Sequence, residues 1–309
     1  MSFDRLIEKI IKTQNPTVAG LDPRLEYVPE FIRKKAFKKY GRTLKGAAKA
    51  VLEFNKGIID EICDIVPAIK PQAAYYEMYG YDGVKTLCKT ILYAQKKGMY
   101  VITDAKRSDI GATMEAYASA HLGTVNVDGE ELTPFGADAM TVNGYLGTDG
   151  VEPLLKECRE RDKGIFVLVK TSNKSSGELQ DQKIGDTTVY GLMGEMCEKW
   201  GATAPGKLGY SSVGAVVGAT YPEQLSEMRA KLPNTFFLVP GYGAQGGGAE
   251  GVSKAFDSNG LGAIVNSSRA VMCAYKKEEC DEEEYARAAR RECIRMKEDI
   301  LSYLPKITL

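Results

Sequence analysis

Short apolar runs recur along the chain at Thr17–Asp22, Ala68–Ala74, Tyr100–Lys106, Ala139–Gly144, Ile165–Thr171, Val213–Ala219, Thr235–Gly241 and Ala263–Ser267. They are continuous rather than alternating, the pattern of strands buried on both faces. Between them, apolar residues take helical spacing over Leu44–Ile65, Gly83–Lys97, Ala112–His121, Val151–Arg161, Val189–Trp200, Pro222–Lys231 and Ala249–Ser258. An amphipathic helix is expected ahead of the first strand, over Ser2–Thr13, and a final one over Asp281–Tyr303. Alternating strands and helices of this kind build a parallel sheet covered by helices. Eight such units predict an α/β fold closed into a (β/α)8 TIM barrel, a single domain over residues 1–309.

Two segments interrupt the alternation. Arg24–Thr43, after the first strand, is basic and is expected to form a solvated helix and turn. Asn173–Thr188, after the fifth, is polar and contains Ser175, Ser176, Gly177 and Gly185. It reads as a lid over a substrate, or as a tolerated surface loop.

Polar residues gather where the strands end: Asp22, Lys70, Asp104 with Lys106, Asn143, Lys170 to Asn173, Thr220, Tyr242 with Gln245, and Ser267 to Arg269. In a barrel those ends form one face, which carries the active site. Asp104 and Lys106 are two apart on a strand and so share a side, while Asp109 lies beyond the strand end. Fixed opposite charges at the mouth of a buried strand suit catalysis. They equally suit a structural ion pair, with Asp109 capping the helix that begins near Ile110. Convergence of charge from several strands favours catalysis.

Composition narrows the choices. Lys plus Arg and Asp plus Glu balance at 41 each, so no net field draws the chain to nucleic acid or an anionic membrane. No apolar stretch approaches the ~20 residues that span a bilayer. Ser2–Thr13, with Asp4, Glu8 and three basic residues, reads as a helix rather than a secretory signal. Seven scattered cysteines without a CxxC pair point to a reducing, cytoplasmic setting. A single histidine, His121, is read as an ordinary helix residue. It leaves imidazole-based zinc sites and Ser-His-Asp chemistry without their parts.

Pro240 to Gly246 contains a GxGxxG spelling. A dinucleotide fingerprint belongs in the first strand–helix unit, with an acid at the end of the next strand. Here it follows the seventh strand, and the eighth ends in Ser267-Ser268-Arg269. Loops after strands seven and eight are the usual phosphate cradle of a barrel, and Arg269 supplies a planar charged fork. A phosphomonoester is therefore expected.

The motifs Gly20-Leu21-Asp22-Pro23, Ile69-Lys70-Pro71-Gln72, Asp104-Ala-Lys106-Arg-Ser-Asp109-Ile-Gly, Lys170-Thr-Ser172-Asn, Val217-Gly218-Ala219-Thr220, Pro240-Gly-Tyr-Gly-Ala-Gln245-Gly and Asn266-Ser-Ser-Arg269 run from the first strand to the eighth. In this order they resemble the longer subfamily of orotidine 5′-phosphate decarboxylases. The resemblance implies loss of CO2 from orotidine 5′-monophosphate to give uridine 5′-monophosphate, with no metal or organic cofactor. It implies that Lys106 protonates C6, that Asp104 stands beside the departing carboxylate, and that Lys70 extends the charge alternation and touches the ribose. Asp22 would hold a ribose hydroxyl, although an Asp before Pro23 also suits a capped turn. Ser172 would read the pyrimidine edge, with Thr171 and Asn173 as neighbours able to take its place, and Gln245 with Arg269 would hold the phosphate. Asp109 and Thr113 would reach into a neighbouring site, making a homodimer with shared active sites the functional unit.

Three other readings remain at this point. A metal-assisted keto-sugar-phosphate decarboxylase shares the DxKxxD element but needs further carboxylates, of which Glu77 is the available one. A Schiff-base aldolase would use Lys70, Lys106 or Lys170 as its amine. A non-catalytic phosphate-ligand sensor would have no use for a carboxylate beside an anionic ligand.

Overall fold

A computed structural model describes residues 1–243 and 247–309. The apolar runs form strands β1 (Thr17–Leu21), β2 (Ala68–Pro71), β3 (Tyr100–Arg107), β4 (Ala139–Val142), β5 (Gly164–Lys170), β6 (Val213–Val217), β7 (Phe237–Val239) and β8 (Ala263–Ser267). All pair in parallel with their sequence neighbours, and β8 returns to β1 through Thr17↔Val265, closing the barrel. The expected fold class is the observed one.

Side-chain alternation sorts each strand into an inner and an outer set. Val18, Ala68, Tyr100, Ile102, Ala139, Phe166, Phe236 and Ile264 fill the lower barrel as one buried cluster. The helix Ser2–Thr13 adds Phe3, Leu6, Ile7 and Ile10 to that cluster, spaced to lie on one helix face. The Phe3 ring lies 4.7 Å from Phe166 and 5.6 Å from Phe236, so this helix stoppers the N-terminal end of the barrel. Outer-facing residues pack against the surrounding helices in two larger clusters.

The strand ends differ from expectation where the backbone has local reasons. β2 ends at Pro71, one isolated bridge from Gln72 to Asp104 follows it, and the chain then turns into a short helix, Ala74–Glu77. The basic insertion forms a 3-10 turn, Leu25–Tyr27, and a helix, Glu30–Tyr40, that buries Ile32 and Ala36, so it is solvated on one side only. The expected helix Ala249–Ser258 ends at Ser253, and Asp281–Tyr303 begins as a 3-10 turn before the helix Tyr285–Leu301. An exposed antiparallel hairpin, Val125–Val127 with Glu130–Leu132, was not foreseen. Among the described residues, no helix is long and apolar enough to cross a membrane. All seven cysteines are unpaired.

Candidate active site

One more turn of the inner alternation brings Lys70, Asp104, Thr141, Leu168, Val216, Leu238 and Asn266 to the floor of a pocket of about 700 Å³ at the C-terminal mouth. Residues from β8 and β2 to β4 make a polar arc, and those from β5 to β7 make an apolar one. On β1 the corresponding position is Gly20, where a Cβ would stand 1.9 Å from Ser268 Oγ. A side chain there would displace the β8 end from the pocket.

Asp104 is the centre of the polar arc. Its Oδ2 accepts from Lys70 Nζ at 2.5 Å and Gln72 Nε2 at 3.0 Å. Its Oδ1 accepts from Lys106 Nζ at 2.5 Å and Thr141 Oγ1 at 2.8 Å. Both oxygens are thus saturated by donors, two of them cations. Burial opposes ionisation of Asp104, but the Lys70 and Lys106 ammonium groups outweigh it and hold the carboxyl well below its ordinary range. Lys70 is buried, which disfavours its charge, yet Asp104 and Asp22 together keep its pKa above the usual value. Asp22 goes the other way: burial raises its pKa against the pull of Lys70. Its Oδ1, like Asn266 Oδ1, is buried without a hydrogen-bond partner among the described residues.

Lys106 reaches Asp104 through a backbone irregularity. The register between β3 and β4 slips between Thr103 and Arg107, and Lys106 takes a left-handed φ of 49°. A non-glycine residue there costs of order 1–3 kcal/mol, a cost that recurs at functional positions. Lys106 N donates to Thr141 Oγ1 at 3.1 Å, which ties the bulge to β4. The Lys106 side chain stays 44% exposed on the pocket side while Asp104 is 7% exposed. An ammonium facing the pocket on a buried counter-anion is placed to meet negative charge that develops in a ligand.

Of the residues singled out by sequence, Asp22, Lys70, Asp104, Lys106, Ser172 and Arg269 line this one pocket. Arg269 lies exposed at its rim, at the start of the short helix Arg269–Met272. Asp109 and Thr113 lie off the pocket of their own chain. Asp109 Oδ1 accepts from Ile110 N at 2.8 Å, and no side chain caps the helix Gly111–His121, on which Thr113 is exposed. Gln245 lies outside the described residues. The adjoining Gly241 has a φ of 101°, open to glycine and few others, and lines the pocket with Tyr242. The sequence reading gave no role to Gln72, Thr141, Gln180, Tyr27 or Tyr75, all of which line the pocket.

Two residues stand apart from where the rival readings need them. Lys170, a candidate amine, is turned away from the pocket and fully buried. Glu77, the spare acid, is ion-paired with Arg107. Among the described residues, no three His, Cys, Asp or Glu side chains are grouped to hold a metal ion.

A family model described as orotidine 5′-phosphate decarboxylase / HUMPS family matches residues 43–282. The chain belongs to this family. It is 45% identical over 295 residues to the orotidine 5′-phosphate decarboxylase of Rhodopirellula baltica, covering 94% of this chain and 96% of that one. It is 40% identical over 302 residues to that of Clostridium kluyveri, covering 97% of each. The solved structure of Leishmania donovani OMP decarboxylase superposes with a TM-score of 0.75 at 30% identity, over 98% of both chains. The family resemblance therefore extends through both insertions and not only the barrel.

Proposed function

We propose that the pocket decarboxylates orotidine 5′-monophosphate to uridine 5′-monophosphate and CO2, with Lys106 as the proton donor. The observation that carries this reading is Asp104 shared between the Lys70 and Lys106 ammonium groups at 2.5 Å each. When the bond from C6 to the carboxylate breaks, the electron pair stays on C6 in the ring plane, where the π system stabilises it poorly. An ammonium ~4 Å away contributes about 4 kcal/mol at an effective dielectric of 20. Lys106 then transfers its proton to C6 and regains one from water.

Asp104 has two effects in this scheme. It holds the Lys106 ammonium in place by a direct ion pair, and it repels the substrate carboxylate, a repulsion that disappears as neutral CO2 forms. Leu168, Val216 and Leu238 offer the departing gas an apolar wall, which suits CO2 better than the anion it came from.

The remaining assignments follow the resemblance to the family, and the pocket lining supports those for Asp22, Lys70, Ser172 and Arg269. Asp22, with a free buried acceptor, and Lys70 take ribose hydroxyls. Ser172 faces the pyrimidine edge, and Arg269 with Gln245 takes the phosphate, whose binding energy serves catalysis at a distance. Asp109, half-buried, and Thr113, exposed, line no part of their own pocket and complete the site of a second copy in a homodimer. Unpaired cysteines support a cytoplasmic setting.

The test is spectrophotometric loss of orotidine 5′-monophosphate in EDTA-containing buffer. The native chain is expected to turn over, and Lys106→Ala to lose at least ~1000-fold in kcat while still binding uridine 5′-monophosphate. Turnover that needs added metal, or survives in Lys106→Ala, overturns the proposal.

A further inference from the structure

Lys170 is a charged side chain that this chemistry leaves unused. At the end of β5 the register with β6 slips, Leu168 pairing with Val216 but Lys170 with Val217. The slip turns Lys170 from the inner to the outer side of the barrel, where it is 0% exposed. Its Nζ lies 2.6 Å from Asp181 Oδ1 and 3.2 Å from Ser176 Oγ, with the Tyr221 ring 4.6 Å and the Tyr190 ring 5.8 Å away. Both hydrogen-bond partners belong to the segment that follows β5. Asp181 is 40% exposed, so the strand supplies the buried anchor and the loop folds down onto it.

A second fastening lies beside the first. Thr171 N donates to Gln180 Oε1 at 2.9 Å, and Gln180 Nε2 donates to Thr171 Oγ1 at 2.8 Å. Tyr190 N donates to Gln180 O at 3.0 Å, joining the segment to the helix Val189–Gly201. The pieces so held, Thr171, Ser172, Asn173 and Gln180, form one wall of the pocket.

We infer that Lys170 is a positioning residue. Through Asp181 and Ser176 it holds the Thr171–Asn173 turn and Gln180 in the shape that receives the pyrimidine, without touching the nucleotide. The inference rests on the proposed reading of Ser172. Lifting the segment strands a buried cation, which is costly, so the wall stays formed before the ligand arrives. Recognition of the base depends on this anchor, and recognition of the ribose and phosphate does not.

The experiment uses the full chain carrying Lys170→Met, Asp181→Asn or Asp181→Glu. It reads kcat and KM for orotidine 5′-monophosphate, calorimetric binding of uridine 5′-monophosphate and of ribose 5-phosphate, and thermal melting. Lys170→Met and Asp181→Asn are expected to raise KM and weaken the nucleotide about tenfold, the scale of a small misplacement. They are expected to change kcat by less than about threefold and to leave ribose 5-phosphate binding unaltered. Asp181→Glu restores the nucleotide affinity. Equal weakening of both ligands marks a merely structural role and overturns the inference, as does unchanged KM in Asp181→Asn. If Lys170→Met does not fold, the Asp181 pair decides. An inactive native chain removes the reaction itself, whereas an active one with indifferent Asp181 variants removes only the anchor.

Discussion

Asp22 and Asp104 face the same pocket, yet their surroundings push them in opposite directions. Asp104 has a depressed pKa, so its ion pairs contribute stability above the ordinary carboxyl value of about 4 and lose it only as pH falls through the lower folded value. Asp22 has a raised pKa and takes its proton first on acidification, losing the acceptor assigned to the ribose. The acid limb of kcat/KM is therefore expected to bend above pH ~4 with unit slope, and Asp22→Asn to flatten it. A limb that persists in Asp22→Asn assigns it to another group. Charged residues at strand ends were legible in the sequence because charge next to a buried run is conspicuous. Gln72, Thr141 and Gln180 were not, since neutral hydrogen-bonding side chains mark no pattern until their partners are in place. Lys170 was misjudged for a different reason: the slip that turns it outward is set by pairing with β6, which nothing within β5 encodes.

Helices and strands were legible to within a few residues because their apolar spacing is strong, and the misses have local causes. The hairpin beyond the helix Gly111–His121 carries an Asp128-Gly129 turn, both residues at positive φ, between alternating apolar positions. That dipeptide is the strongest short-range hairpin signal, and it passed unread. The helix itself ends in His121, 4% exposed and stacked on Phe135 with ring centroids 4.7 Å apart. Burial, and secondarily the Arg107 charge, hold its imidazole pKa down at about 4. The unfolded chain thus takes this proton first, so the stability is complete above pH ~6.5 and is lost as pH falls toward the folded value. Between pH 7 and pH 5 the loss is expected to be about 2 kcal/mol by urea unfolding, and His121→Phe, keeping the stack, to remove that component. An equal pH response in the variant refutes it.

At the scale of the whole molecule, barrel closure was legible from the count of strand–helix units alone. The task of the helix Ser2–Thr13 was not, because Phe166 and Phe236, which receive Phe3, are remote in sequence. Assembly is testable through the residues left off the pocket. If Asp109 serves a second copy, Lys106→Ala and Asp109→Ala chains are each inactive alone. Mixed and allowed to exchange, half the dimers become hybrids with one intact site, restoring about a quarter of native activity. No recovery on mixing, with exchange verified, places Asp109 in its own subunit.

The aromatic seal made by Phe3 also governs traffic. With the far end of the barrel plugged, the described residues leave the C-terminal mouth for both nucleotide and gas, and in the proposed pose CO2 released at the floor slips out past a ribose and phosphate at the entrance. Escape of the small molecule ahead of the large one makes the forward step hard to reverse, even before the nucleotide has left.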